Sequence, residues 1–392
     1  MRILIAPQAF KGGLTGIEAA QAVAQGVQRQ EPDAELVLLP IADGGDGTLE
    51  ALLGASNLAQ HGFGGSGLAS GKVFRATVTG PTGDSVEAVW GVMQNGSTAV
   101  IEMARASGLS LVQPEQLNPR LATSYGTGQL IRTALSEGYQ DIIVGLGGSA
   151  TNDGGVGIAQ ALGARFLDQN GSTLPFGGTA LAKLAHVDLT NLDPRLRECH
   201  IRAATDVDNP ICGPEGASVT YGPQKGATPE MIKELDAALE NYADVINQDL
   251  GINVLSLPRA GAAGGAGATL YALLGGQVDS GAGIVCEALR IEERLQGIDF
   301  VITGEGRMDW QTIYDKAPIA IAHRARNLGI PVLAVAGSLG PGYERVFEHG
   351  IILAEPASLP GISLDQSMAR AAELVANAAE RAIKRALLVY PT

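Results

Sequence analysis

The stretch IIVGLGGSATNDGGVG, Ile142 to Gly157, decides how the rest of the chain is read. Ile142, Ile143 and Val144 form a short β-branched run, the pattern of a buried strand. A turn follows at Gly145-Leu146-Gly147-Gly148, with Ser149, Thr151, Asn152 and Asp153 after it. Gly154 to Leu162 then reads as the start of a helix. Glycines let backbone N–H groups point inward with no Cβ in the way. A helix start adds unpaired donors and a positive dipole end, so strand, glycine turn and helix together can receive an anion. The alternative is a tight strand-to-helix turn in which Asn152 or Asp153 caps the helix.

Working outward, the same unit recurs at both ends of the chain. Ile3 to Ala6 reads as a buried strand, followed by a loop carrying Lys11 before two glycines. Ile17 to Gln28 has helical spacing, with Ile17, Ala20, Val23, Ala24 and Val27 on one face. Leu36 to Leu39 is a second strand, and Asp43-Gly44-Gly45-Asp46-Gly47-Thr48 leads into another helix. Near Phe63 the pattern changes. Val73–Thr79, Ser85–Val92 and Thr98–Met103 alternate, with turns between them, as an antiparallel meander. Helices are expected from Thr123-Ser124-Tyr125 to about Gly138 and from Pro229 to about Gln248. Ala164–Leu167 and Ile201–Ala204 read as further strands, and Gly222–Gly226 and Gly261–Gly267 as glycine turns. From about Ser280 come a helix (Ile284–Leu295), a strand (Phe300–Ile302) running into a loop over Thr303–Asp309, a helix (Pro318–Leu328), strands at Pro331–Ala336 and Ile351–Ala354, and a closing helix (Ser367–Leu387).

The fold class predicted is α/β. Residues 1–62 and 280–392 form a flavodoxin-like, doubly wound parallel sheet of order 2-1-3-4-5, with Phe300–Ile302 as its third strand. Residues 63–279 form an inserted second α/β domain containing antiparallel strands and closing over the active-site cleft. Ligands bind such sheets beyond the strand C-terminal ends where the order reverses. The loops at Lys11 and Glu305 flank that point.

Bulk properties narrow the function. The chain has 392 residues, 45% hydrophobic and 17% charged, so it is globular. A net charge of −14 argues against nucleic-acid or anionic-membrane binding. The 3 cysteines have no CxxC spacing, which suits reduced thiols in the cytoplasm. Gly261 to Val278 lacks charge but is mostly Gly and Ala, so it reads as loop and close-packed helix, not a membrane span. Gly62, Gly64 and Gly67 match GxGxxG in a Gly/Ser-rich linker, His61 to Gly71, but no strand precedes them, so a dinucleotide fingerprint is rejected.

Three residue types recur in the loops. Glycine turns suited to phosphate lie at 145–148, 222–226, 261–267 and 304–306. Beside them are carboxylates Asp43, Asp46, Asp153, Asp206, Asp208, Glu305 and Asp309, and cations Lys11, Lys225, Arg307 and Lys316. Phosphoryl transfer needs these types: donors around phosphates, carboxylates for Mg²⁺ or for orienting a hydroxyl, and cations on developing charge. No GxxxxGK[ST] loop and no protein-kinase motif pair is present.

With these loops in hand, the chain resembles the type-1 bacterial glycerate kinases. Met1 to Leu14 is similar to their IAPDSFKGSL segment, and Asp43 to Thr48 to their DGGEGT. Ser124–Gly128, Gly145–Gly155, Gly222–Ala227, Gly261–Gly265 and Thr303–Thr312 resemble their other signature loops in the same order. The resemblance implies ATP- and Mg²⁺-dependent phosphorylation of D-glycerate to 2-phosphoglycerate; a cytoplasmic monomer or homodimer is expected. The alternatives are glycerate 3-kinase activity, a related short hydroxy acid as substrate, or a catalytically weakened ligand-binding relative. Where the family has Asp-Ser, this chain has Gln8-Ala9; Trp310 and Asp315 are further departures.

On this reading Lys11, Arg307 and Asp309 are catalytic. Gly147, Gly148, Ser149, Asn152, Lys225, Gly304, Gly306 and Lys316 bind substrate or phosphate. Asp43, Asp46, Asp206 and Glu305 hold the metal. The structural alternatives are a helix cap for Asp43 and Asp46, a turn for Asp206 and Asp208, a solvated lysine at Lys11, and core packing for Trp310.

Overall fold

The structure, a computed structural model, describes residues 1–54, 71–314, 316–358 and 361–390. Residues 61–70 of the linker, with the rejected GxGxxG match, and Asp315 lie outside the described residues. The chain divides into two compact units. The first takes Met1–Asp43 and the described parts of Glu50–Gly71 and Gly281–Thr392; the second takes Gly44–Leu49 and Lys72–Ser280.

The first unit is built on a five-stranded parallel sheet. From edge to edge its strands are Ile351–Pro356, Val332–Leu339, Phe300–Met308, Arg2–Pro7 and Glu35–Leu38. This is the 2-1-3-4-5 order, with Phe300–Met308 as the third strand beside Arg2–Pro7. Ile3, Leu4, Ile5 and Ala6 are wholly buried. A strand covered on both faces needs such a continuous apolar run. The helix Gly16–Gln30 starts at a capping box: Thr15 Oγ1 accepts from Glu18 N–H, and Glu18 Oε2 accepts from Thr15 N–H. Its Ala19, Ala20, Val23 and Val27 face the core. Gly26 lies where this helix meets Ala371–Val389; a Cβ there would stand 2.0 Å from Ala376 O. Gly26→Ala should therefore cost about 1–3 kcal/mol through overpacking. Faster hydrogen exchange along Ala371–Val389 is the expected readout, and unchanged protection would mean that the helices separate freely.

The second unit holds a six-stranded sheet in the order Gln277–Ser280, His200–Thr205, Asp141–Gly145, Thr98–Glu102, Ser85–Val92, Lys72–Thr79. The first four are mutually parallel, and the last two complete the antiparallel meander. Arg165–Leu167 and His186–Asp188 form a separate antiparallel pair. Trp90 is buried, stacked on Phe74 with ring centroids 4.8 Å apart.

Four expectations need correction. Thr303 to Met308 is not a loop: the strand runs on from Phe300 to Met308. Gly304 and Gly306 belong to it because neighbouring backbone comes close; a Cβ on Gly304 would lie 2.1 Å from Val335 O. The helix expected at Ile284–Leu295 is two, Gly281–Ala288 and Ile291–Arg294, parted by Arg290 with φ 50°. The closing helix is also two, Leu364–Ala369 and Ala371–Val389. Gly261–Gly267 is not an open loop but enters the helix Ala262–Ala272 through left-handed residues Ala263, Gly264 and Gly265. Among the described residues no helix is long and apolar enough to cross a membrane.

Candidate active site

In the first unit the candidate side chains lie in the second half of the strand Phe300–Met308 or on the segments that follow the strands Arg2–Pro7, Glu35–Leu38 and Phe300–Met308. Asp43 follows the strand Glu35–Leu38 and is buried. It does not cap the next helix. Its carboxylate Oδ2 accepts a 2.6 Å hydrogen bond from Gln8 Nε2, and Gln8 follows the strand Arg2–Pro7. Leu49 N–H near the start of that helix donates instead to Glu102 Oε1 in the second unit, at 2.8 Å.

Glu305, on the central strand Phe300–Met308, is 5% exposed. Its Oε1 accepts from Thr312 Oγ1 at 2.7 Å, and Lys316 Nζ stands 3.8 Å from its Oε2. Burial pushes its carboxyl up to about 7; Lys316 and Thr312 pull the other way, while Asp43 and Asp309 add to the rise. A buried carboxyl poised near neutrality is the property of an acid–base group. Glu305 is also among the carboxylates expected to hold the metal, and a bound cation would draw the carboxyl back towards its charged form.

Arg307 is largely exposed, and its Nε pairs with Asp309 Oδ2 at 3.1 Å. Asp309 is fixed from both sides: its N–H donates to Thr312 Oγ1, and its Oδ1 accepts from Gln311 N–H. Lys11 is exposed on the loop after the strand Arg2–Pro7, and its backbone N would be 3.3 Å from a Cβ on Gly306. Trp310 is not core. It is 49% exposed, with its ring edge-on to Tyr314 at 5.9 Å.

In the second unit the glycine turn after Asp141–Gly145 is tightly tied. Gly147 N–H donates to Gly44 O at 2.9 Å, and a Cβ on Gly147 would lie 2.4 Å from the Cα of Gly45. Leu146 and Ala150 N–H groups are taken by Ala204 and Ser107 carbonyls. These donors hold the turn together and are taken within the fold. Asp46 is exposed, with its Oδ1 3.1 Å from the Cβ position of Gly148. Asp206 is half-buried, and with Asp208 it pushes the Tyr221 hydroxyl's pKa up beyond the rise from burial.

Lys225, in the basic glycine turn, is buried. Its Nζ donates to Ser149 Oγ at 3.0 Å and to Thr151 O at 2.6 Å. Burial pushes the amine down to about 7, against the pull of the Asp153 carboxylate. An ammonium has three donors, so one remains for a ligand. Asn152 Nδ2 donates to Ser218 Oγ at 2.9 Å, while its Oδ1 and the Thr151 hydroxyl are buried without a partner. Asp153 is a tie within the fold. It accepts from Ser124 N–H and Oγ, both at 2.8 Å, and from Gly155 N–H at 3.1 Å.

The metal donors are sparse. Among the described residues no group of 3 or more His, Cys, Asp or Glu side chains is arranged to hold an ion. Mg²⁺ does not require one: it is usually held by one or two carboxylates together with substrate phosphates and waters. Gln8 Oε1 is buried and has no partner. With Asp43 beside it, it forms an all-oxygen donor pair that fits a hard cation. Sequence reading noted Gln8 only as a departure. The pairing with Asp43 spans 35 residues and has no local signal. Thr312, which links Glu305 to Asp309, was within reach as the residue three after Asp309.

Residues 3–387 match the model of the glycerate kinase family. A glycerate kinase from Halalkalibacterium halodurans is 47% identical over 377 residues, covering 96% of each chain. A glycerate 2-kinase from Escherichia coli K12 is 48% identical over 351 residues, 90% of this chain and 89% of its own. The crystal structure of a Salmonella typhimurium LT2 protein, provisionally named glycerate kinase 2, superposes with a TM-score of 0.82 at 44% identity, over 100% of this chain and 99% of that one. The chain belongs to the glycerate kinase family of enzymes.

Proposed function

We propose that the protein transfers the γ-phosphoryl group of ATP, supplied with Mg²⁺, to the C2 hydroxyl of D-glycerate, giving 2-phosphoglycerate and ADP. The observation that carries this reading is Glu305: a buried carboxyl poised near neutrality on the central strand, with Lys316 Nζ 3.8 Å from it and Asp309 tied to it through Thr312. Position C2 is favoured by the E. coli relative, whose name is glycerate 2-kinase. Cys199, Cys212 and Cys286 are thiols and not disulfides, which suits the reducing cytoplasm.

Each step falls to a named group. Glu305 takes the proton of the attacking hydroxyl as its oxygen bonds to the γ-phosphorus and the bond to ADP breaks. Lys11, Lys316 and Arg307 stabilise charge on the transferring group. Asp309 fixes the Arg307 guanidinium. Asp43 and Gln8 would hold the metal ion, which would offset charge on the phosphates. Gly148, Ser149, Asn152 and the third donor of Lys225 receive an anionic group of a substrate. Phosphorus NMR of the product is the test. A phosphomonoester coupled to the C2 proton is expected; coupling to the C3 protons would replace the regiochemistry, and no phosphorylated product from D-glycerate would end the kinase reading.

A further inference from the structure

The chain has 5 histidines, and two of them meet on the surface of the first unit. His323 stands at an exposed position of the helix Ala317–Asn327. His349 ends the 3₁₀-helical segment Tyr343–His349, which joins the strands Val332–Leu339 and Ile351–Pro356. His323 Nε2 and His349 Nδ1 are 3.0 Å apart, and the ring centroids 5.2 Å apart with the planes at 32°. The backbone around them is fixed. Arg326, three residues on from His323, donates from Nη1 to Glu348 O at 3.0 Å. Gly350 takes φ 101°, and a Cβ there would lie 3.2 Å from Arg326 Cβ. Helix and connection are thus held together by contacts that do not depend on the two imidazoles.

A pair this close has two uses. In one, the N–H of one ring donates to the lone pair of the other, which requires a particular tautomer. At an exposed position that bond replaces bonds to water and gains little. In the other use both nitrogens are bare and turn their lone pairs to one ion. Metal–imidazole bonds are about 2.0–2.1 Å, so two ligands at right angles about one ion stand about 2.8–3.0 Å apart, and at the tetrahedral angle about 3.3–3.4 Å. The 3.0 Å observed is the spacing of neighbouring corners of a square-planar or octahedral centre. Imidazole suits copper, nickel and zinc, and tetragonal nitrogen sites favour Cu²⁺ or Ni²⁺. Mg²⁺ takes oxygen ligands, so an ion here differs in kind from one beside Gln8 and Asp43.

We propose that His323 and His349 form a binding site for a divalent transition-metal ion of the Cu²⁺ or Ni²⁺ type, with water completing its coordination. No outcome of its test touches the kinase reading. Ni²⁺ is titrated by calorimetry, with Mg²⁺ in excess, into the wild type, His323→Gln, His349→Gln and the double variant. Each single variant should bind about tenfold or more weakly, and the double variant should lose the site. Ions held at His61, His186 or His200 persist in the double variant and are separated by it. With Cu²⁺ the electron paramagnetic resonance of the wild type should show two equatorial nitrogens, reduced to one in either single variant. Ni²⁺ binding unchanged in the double variant, or displacement of Ni²⁺ by Mg²⁺, overturns the proposal. Should the variants fail to fold, anomalous scattering at the nickel edge from crystals of the unmodified protein decides. A peak bonded to both rings is expected there, and its absence overturns the site.

Discussion

Glu305→Gln is expected to lower kcat by about 10²–10⁴-fold, the usual contribution of a positioned general base. The amide keeps the volume and can still accept from Thr312, so the strand should survive. In the wild type kcat/KM should rise as pH passes through about 7, where the carboxyl loses its proton; the variant should lack that limb. Titration of ATP itself is common to both proteins and cancels in the comparison. Stability supplies an independent check. The folded-state pKa is raised above the ordinary value of 4.5, so the folded chain binds more protons than the unfolded one between those pH values. Stability therefore falls as pH rises from about 4.5 to 7, by at most about 3 kcal/mol, and Glu305→Gln should remove that fall. The groups that face the carboxyl, Lys316, Thr312, Asp43 and Asp309, are unchanged in the variant. A wild-type pH limb that persists in Glu305→Gln would remove Glu305 as the base.

The sheet order of the first unit is legible because its three inner strands are buried on both faces over most of their length and announce themselves as apolar runs such as Ile3 to Ala6. The second half of the central strand is not. Gly304 and Gly306 carry no strand signal, and what keeps them in the sheet is the approach of Val335 and of Lys11, residues far along the chain. Arg290 breaks a helix whose apolar spacing runs straight through it, since periodicity does not register a single left-handed residue. Lys11, Arg307, Asp309 and Glu305 could be picked out because each follows or ends a recognisable strand. Their division of labour could not, because it depends on burial and on partners. Glu305 looks like any acidic residue between two glycines until the sheet closes around it. For Asp43 a helix cap stays open beside the metal-holding role until Gln8 is brought against it. The turn Gly222–Gly226 is the sharpest case. Gly-Pro-Gln-Lys-Gly has the composition of an exposed turn, yet the lysine reaches inward to a loop 74 to 76 residues earlier.

That inward lysine leads to the second large effect. Lys225→Met keeps most of the side chain's length and apolar stem but removes the amine. Thr151 O and Ser149 Oγ then lose their donor inside the second unit, which costs about 1–3 kcal/mol for a buried unsatisfied group. The pH dependence has a definite sign. The folded-state pKa lies below the ordinary value, about 7 against 10.5, so above pH 7 the folded chain sheds a proton that the unfolded chain keeps. Stability from this group rises with pH, by about 2 kcal/mol between pH 7 and 9, and the Met variant lacks the rise. The destabilisation on replacing lysine should thus be larger at pH 9 than at pH 7. Trp90 reports the second unit, because it is buried there against Phe74; a Trp310→Phe background leaves it as the only indole. Urea titrations of that emission at the two pH values give the comparison. Function adds a second axis. If the third donor of Lys225 meets an anionic group of a substrate, Lys225→Met should also lose about tenfold to a hundredfold in kcat/KM at a temperature where the variant is fully folded. A variant with lowered stability but wild-type kcat/KM would make Lys225 a tie for the Ser149–Thr151 backbone alone. One with wild-type stability at both pH values would contradict the buried geometry itself.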